Sequence, residues 1–425
     1  MLFLYDMALF IALLLALPYL LPKVLLGGHG LRERLGLWPP EFFQKVGSSP
    51  ILWVHAASVG EVHGLAAFLP VLQRRAPEYQ FILSVTTRAG REQTSRLGRE
   101  VRRVLYLPVD LSWVVKRVLR RANPKVLLLM ETELWPNLIV QARRKGVKVA
   151  LVNGRMSARS FSRYRLFRGF MAQALASIEL LCVQTEEDAQ RFRALGAESS
   201  RVMVTGNFKE DLLAVPQMRG KRELVRSTLG ISARTHVLVA GSTRPGEEEE
   251  IAEAILGLRD ENSPFRAIVA PRHVKRAKRV TSLFRARGLA VRRYSQLEGF
   301  PPVPWDVLVV DTLGQLMRLY SAADVAFVGG SLLPYGGHNP LEPASYGIPV
   351  LFGPHMEHCR RSAHLLLQAG GGIQVMDGGQ LKEVASRLFV SDENRNRRGQ
   401  AALKVVRDGR GTSERTAEAL KKTVL

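Results

Sequence analysis

With 425 residues, 46% of them hydrophobic and 7% aromatic, the chain is long enough for two domains with separate cores, and its composition excludes intrinsic disorder. Against 38 Asp and Glu stand 61 Lys and Arg, a formal charge of +23, which suits a polyanionic partner such as nucleic acid or an acidic membrane surface. Cys182 and Cys359 are too few and too far apart for a disulfide framework or a zinc site, and they fit a reducing compartment.

The N-terminal stretch MLFLYDMALFIALLLALPYLLPKVLL is apolar apart from Asp6 and Lys23. From Met7 to Pro22 no residue is charged, short for a membrane span but extendable at both ends. Asp6 precedes this run while Lys23, Arg32 and Arg34 follow it, the reverse of a secretory signal peptide. The expectation is an uncleaved anchor over residues 1–26 with the body of the protein in the cytoplasm. Pro18 and Pro22 leave open a segment that only dips into one leaflet. A buried core helix is the competing reading.

Past the anchor, ILWVHAA, FILSVTT, RVLYLPV, VLLLMET, VKVALVN, LLCVQT and RVMVTG form one series of strand-like runs. HVLVAGS, RAIVAP, VLVVD, VAFVGG and IPVLFG form a second. Continuous rather than alternating apolar runs imply parallel strands buried on both faces, and the intervening helical patterns give a doubly wound α/β class. WVHAASVGEV and VLVAGSTRPGEEEE share one grammar of strand, small-residue turn and Glu-led helix. The expected organisation is two Rossmann-like domains, 27–214 and 215–425, facing a cleft at the carboxyl ends of their strands.

Between the first strands and the link, SARSFSRYRLFRGFMAQAL interleaves Arg159, Arg163, Arg165 and Arg168 with Phe161, Tyr164, Phe167, Phe170 and Met171. Such a helix suits a lipid headgroup interface, or it simply faces the core. No RNA-recognition, helix-turn-helix or zinc-finger signature accompanies the basic residues, so nucleic acid is not the expected partner.

Glu61 has two readings: a favourable charge at a helix start, or a catalytic base at the mouth of a sheet. Glu131 and Glu133 of ETELWPN follow a buried strand and need a cation, a hydrogen-bond network or a substrate hydroxyl. Lys209, after RVMVTG, can neutralise a carboxylate or phosphate. In GGSLLPYGGHNPLEPASYGIPVLFGP, paired glycines permit close backbone approach, backbone N–H groups at the helix start set by Asn339-Pro340 can receive a phosphate, and Glu342 can accept hydrogen bonds from ribose hydroxyls. Arg272 of PRH can pair with phosphate oxygens, and Gly314 of DTLGQL allows close approach. His55, His63, His273 and His338 fall at expected loops, with structural or positioning roles. No DxD and no His/Asp cluster at metal spacing is present, so neither a metal nor a cofactor is expected.

HAASVGE, ETELWPN, GNFK, GST..GEE, PRH, DTLG and GGHNPLEPA, in that order, resemble the 3-deoxy-D-manno-octulosonic acid (Kdo) transferases of lipopolysaccharide assembly. The resemblance implies a GT-B fold and inverting transfer from CMP-Kdo to a lipid A precursor, lipid IVA, at the cytoplasmic face of the inner membrane. It implies Glu61 as general base, with Glu131 and Lys209 acting on the transition state. Pro271, Arg272, Leu313, Gly314, Gln315, Asn339, Pro340, Leu341 and Glu342 would contact CMP. Two departures bear on that nucleotide contact: Gln315 where the family more often has Glu, and GPHMEHC at 353 to 359. The competing functions are another GT-B sugar-nucleotide transferase or epimerase, and a membrane-tethered basic protein binding lipid or RNA.

Overall fold

Val-, Leu- and Ile-rich runs build two parallel sheets in the computed structural model, which describes residues 2–25, 30–39, 41–44, 49–98, 101–213, 218–261, 264–297 and 304–425. The chain divides into two units, Met1–Leu212 with Gly411–Leu425, and Leu213–Arg410. The expected boundaries at 26/27 and 214/215 fall outside the described residues.

The first unit opens with helix α1 (Leu2–Leu25) and carries strands β1 (Ile51–His55), β2 (Gln80–Val85), β3 (Val101–Tyr106) and β4 (Val126–Met130). Strands β5 (Lys148–Gly154), β6 (Leu180–Val183) and β7 (Val202–Val204) complete a seven-stranded sheet in the order β3-β2-β1-β4-β5-β6-β7. Its helices include α2 (Val59–Arg75), α3 (Pro136–Arg144), α4 (Ala158–Leu166), α5 (Arg168–Leu175) and the single turn α6 (Phe208–Asp211). Alternate residues of each strand enter different cores. Trp53, Leu127 and Leu129 pack on one face, while Leu52, Val54, Val126, Leu128 and Met130 pack on the other.

The last helix (Thr412–Thr423) corrects the expected domain division, because it belongs to the first unit and not to the second. The Asp211 carboxylate accepts from the backbone N–H groups of Gly411 and Ser413, each at 2.7 Å, where the helix dipole favours an anion. Ala417, Leu420 and Val424 then complete the core that contains Val62, Leu65 and Phe68 of α2.

Helix α1 is docked on this unit. Leu9 and Leu13 pack against its core, and Asp6 accepts from Ser112 N–H at 3.0 Å and Asn137 Nδ2 at 2.7 Å. Its other side leaves Phe3, Leu4, Phe10, Ile11, Leu14 and Leu15 exposed. Among the described residues no helix is long and apolar enough to cross a membrane. In α4, Phe161 and Tyr164 pack against the core while the arginines stay exposed, the arrangement of a core-facing amphipathic helix.

The second unit carries β8 (His236–Thr243), β9 (Phe265–Pro271), β10 (Val291–Arg293) and β11 (Val307–Val309). With β12 (Val325–Val328), β13 (Val350–Phe352) and β14 (Gly372–Gln374) they form a parallel sheet ordered β10-β11-β9-β8-β12-β13-β14. Helices α7 (Glu247–Glu261), α8 (Leu316–Tyr320) and α9 (Leu341–Ala344) follow β8, β11 and β12. Val237 and Val239 enter one core, Leu238 and Ala240 the other, so β8 is buried on both faces.

Candidate active site

Both sheets reverse their winding at the first strand. In one unit β1 lies between β2 and β4, in the other β8 lies between β9 and β12. Ligands of open α/β sheets bind at the carboxyl ends of the strands at such a switch point. The sequence motifs sit at these two places.

In the first unit, β1 ends at the fully buried His55. Its Nδ1 lies 2.9 Å from Ser84 Oγ and its Nε2 3.2 Å from Glu133 Oε2. The chain turns through Ala56 and Ala57 to Ser58, the N-cap of α2. The Ser58 hydroxyl accepts from Glu61 N–H at 3.4 Å and donates to Glu61 Oε1 at 2.9 Å. Ala57 N–H donates to Glu61 Oε2 at 2.8 Å. This is a variant of the capping box, so the helix-start role of Glu61 is real. Burial nevertheless pushes the Glu61 carboxyl up to about 7. The charges of Glu133 and Glu131 add to that rise, against the opposing hydrogen bonds from Ala57 and Ser58. A carboxylate poised there can take a proton near neutral pH.

Glu131 follows β4 with φ 51°, a left-handed conformation that costs a non-glycine residue about 1–3 kcal/mol. Its carboxylate has Lys209 Nζ at 4.0 Å and Arg155 Nε at 3.9 Å. Glu133 is held more tightly, accepting from Trp135 Nε1 at 2.8 Å as well as facing His55. Burial alone would raise Glu133, but the hydrogen bond and charge of His55, with the hydrogen bond from Trp135, outweigh it and leave the carboxyl below its ordinary value. Asn207 caps α6 by accepting from Lys209 N–H at 3.0 Å, and Asn153 accepts from Phe208 N–H at 3.1 Å. These bonds aim Lys209 toward Glu131 and over Gly60, where an added Cβ would lie 3.5 Å from Nζ. Gly60, His63, Gln93 and Lys209 line a cavity of about 350 Å³. Glu61, Glu131 and Lys209 therefore converge at the carboxyl end of the first sheet.

In the second unit the motif loops lie at the carboxyl ends of the adjacent strands β11 and β9 and of β12, which β8 separates from β9. Pro271 ends β9 and Arg272 follows it, Leu313-Gly314-Gln315 follows β11, and Asn339-Pro340-Leu341-Glu342 follows β12. Pro271 is buried and Arg272 exposed. Leu313 is 81% exposed, and Gly314 has φ 82° with open space where a side chain would project. Gln315 Oε1 accepts from Tyr294 OH at 3.1 Å. Burial raises the Glu342 carboxyl despite the hydrogen bond from Asn339 and the charge of Arg272.

Several backbone N–H groups of these turns already have partners within the unit. The α9 start is a single turn, and its Leu341 N–H is taken by Asn339 Oδ1 at 3.1 Å. The N–H groups of Gly330, Ser331 and Leu332 are also taken, by the fully buried Glu247 carboxylate at 2.6–2.8 Å. Arginine and histidine side chains gather beside Gly330. Arg244 Nη1 lies 2.9 Å from His273 Nε2, and burial with the charges of Arg244, Arg272, His358 and His273 pushes His338 down to about 4. His338 Nε2 is buried with no hydrogen-bond partner among the described residues. An anionic phosphate fits such a setting.

Sequence reading did not single out Arg155, Arg244, Glu247 or His358. The acid-rich start of GEEEE, matched to Glu61 of VGEV, was the one signal that pointed to Glu247. Among the described residues no three His, Cys, Asp or Glu side chains gather as a metal-holding group.

Residues 29–212 match a family described as 3-Deoxy-D-manno-octulosonic-acid transferase (kdotransferase). The chain is 31% identical to a 3-deoxy-D-manno-octulosonic acid transferase of Chlamydophila psittaci over 99% of this chain and 96% of that one. It is 33% identical to the transferase of the same name from Bordetella pertussis, over 90% and 91% of the two chains. Among solved structures, a UDP-GlcNAc 2-epimerase from Neisseria meningitidis aligns with a TM-score of 0.60 at 15% identity, covering 88% of this chain and all of that one. A glycosyltransferase from Rickettsia africae aligns at 0.59 with 10% identity, covering 88% and 98%. At those identities the two structures speak for the fold, which is of the α/β GT-B type.

Proposed function

The chain belongs to the 3-deoxy-D-manno-octulosonic acid transferase family, and from that premise we propose that it moves Kdo from CMP-Kdo onto a lipid A precursor, lipid IVA, with inversion. It is a glycosyltransferase; the donor, the acceptor and the roles below are this reading. The epimerase likeness extends to fold alone, whereas the transferase likeness is one of sequence over nearly the whole chain.

Glu61 takes the proton of the acceptor hydroxyl as that oxygen attacks the ketosidic carbon. The bond from that carbon to the phosphate oxygen breaks, and CMP leaves with the electron pair. Lys209, beside Glu131, offsets negative charge on the sugar or phosphate as the bonds change. Arg272 and Arg244 hold the phosphate, and the open backbone at Gly314 lets the nucleoside approach. The observation that carries the reading is Glu61, a buried carboxyl raised to about 7 at the switch point of its sheet. The reaction runs without a metal, and the exposed apolar side of α1 rests on an anionic inner-membrane surface with the catalytic units on the cytoplasmic side.

Purified protein is mixed with CMP-Kdo and a tetra-acylated lipid A precursor in detergent, following CMP release and product mass. Stoichiometric CMP and a Kdo-bearing lipid are expected; no transfer overturns the proposal. Loss of turnover in chelator, restored by magnesium, overturns metal independence.

A further inference from the structure

Within the first unit, a groove of about 680 Å³ runs between α1 and the α4–α5 pair, floored by Thr132 to Pro136 of ETELWPN, and the roles given above to that motif do not use it. Leu4, Tyr5 and Ala8 of α1 face Tyr164, Phe167 and Phe170 across it. Its volume is that of a small-molecule site, yet its walls are too apolar for a sugar nucleotide. The α1 wall is fixed in place. Tyr5 packs on Phe170 with ring centroids 5.4 Å apart, and the next residue, Asp6, is bonded to Ser112 and Asn137.

Two features select the occupant. Glu133 and Trp135 line the groove, and the Glu133 charge acts directly on Glu61, so the apolar slot adjoins the carboxylate cluster. The helices that form its far wall carry the exposed Arg159, Arg163, Arg165 and Arg168, complementary to an anionic headgroup. A ligand with an apolar chain, phosphates and a hydroxyl to be deprotonated is an acylated, phosphorylated sugar.

We propose that this groove is an acyl-chain subsite, holding one fatty acyl chain of the glycolipid acceptor while its sugar hydroxyl reaches Glu61. The inference rests on the acceptor reading above and adds where the lipid enters. It makes α1 one wall of a binding site as well as a contact for the membrane.

The test compares wild type with Ala8→Trp, which fills the groove from an exposed position. Both receive a phosphorylated glucosamine disaccharide carrying its acyl chains, and the same disaccharide stripped of them. In wild type the acylated acceptor has the lower KM. In Ala8→Trp its KM rises about tenfold and the ratio between the two acceptors collapses. An unchanged ratio overturns the proposal. Leu15→Asp, on α1 but outside the groove, separates a subsite from membrane attachment. It weakens binding to anionic phospholipid vesicles and keeps the ratio; if it collapses the ratio as Ala8→Trp does, α1 serves attachment only and the subsite falls. If wild type transfers to neither acceptor, equilibrium binding of both decides. Tighter binding of the acylated form, lost in Ala8→Trp, keeps the subsite and sinks the transfer reaction. Equal binding of both forms sinks the subsite.

Discussion

Glu61 and Glu247 are the same residue in the same place in two sheets: each stands in the first turn of the helix after the first strand, and each is buried. What differs is how completely the surroundings satisfy them. Glu247 accepts four backbone N–H groups, from Arg244, Gly330, Ser331 and Leu332, and so clamps the loop after β12 to the start of α7. Glu61 accepts one backbone N–H and one hydroxyl, with two more carboxylates in electrostatic reach. A carboxylate saturated by N–H groups is structural. One that is buried, lightly held and crowded by like charge is ready to take a proton.

The largest effect should come from Glu61→Gln, which keeps size and one acceptor oxygen but cannot serve as a base. Turnover falls about 10²–10⁴-fold while CMP binding, followed by calorimetry, is unchanged. Wild-type kcat/KM should fall tenfold per pH unit below about 7 and be flat above, because the working form is the deprotonated carboxylate. The sign is opposite for stability. A carboxyl raised in the folded state contributes stability that is full below its ordinary range and lost as pH rises through about 7. Glu61→Gln should therefore melt no lower than wild type at pH 8. Normal turnover in this variant would erase the difference between the two glutamates.

Glu247→Ala tests the other half. It strands four N–H groups, three of them buried, and unfolding stability should drop by about 4 kcal/mol, read as a lower midpoint in denaturant. A variant that unfolds like wild type yet loses turnover would give Glu247 a chemical role and break the contrast from its other side.

The contrast could not be read from the chain, although much around it could. All seven strand runs of the first series became β1–β7, since long Val/Leu/Ile stretches have no other use in a soluble core. In the second sheet β10 (VRR) and β14 (GIQ) were not anticipated: each is three residues long, lies at a sheet edge and carries little apolar signal. The return of the C-terminal helix depends on Asp211, a partner two hundred residues away in sequence. Similarly, the site strands β8 and β12 are adjacent in space but not in order, so the meeting of Arg244 with His338 and of Glu247 with Gly330 is set by topology. The apolar run of α1 reads alike whether it faces lipid or protein; Asp6, bonded to Ser112 and Asn137, is what shows that one side is docked.

A smaller effect sharpens the opposite polarity of the two sites. Arg272→Ala removes one cation from the group around His338 and should raise the KM for CMP-Kdo about tenfold, with turnover at saturating donor nearly kept. With that charge gone, His338 should titrate at higher pH, measurable by NMR of its ring. An unchanged donor KM would remove this cluster from phosphate binding.

The smallest effect concerns the tiny residues before Glu61. Gly60 lies inside α2, where Ala is the better helix former by about 1 kcal/mol. Its added methyl would meet Lys209 Nζ at 3.5 Å, an ordinary contact that a flexible side chain accommodates. Gly60→Ala should therefore raise the stability of the fold slightly, while kcat/KM for the acceptor falls a few-fold because the methyl enters the space between Lys209 and the helix start. The two readouts moving in opposite directions would mean that glycine is kept there for access to Glu61 at a cost in helix stability. If kcat/KM holds while stability rises, the small-residue run serves the tight turn out of β1, and access to the base is governed from the α1 groove instead.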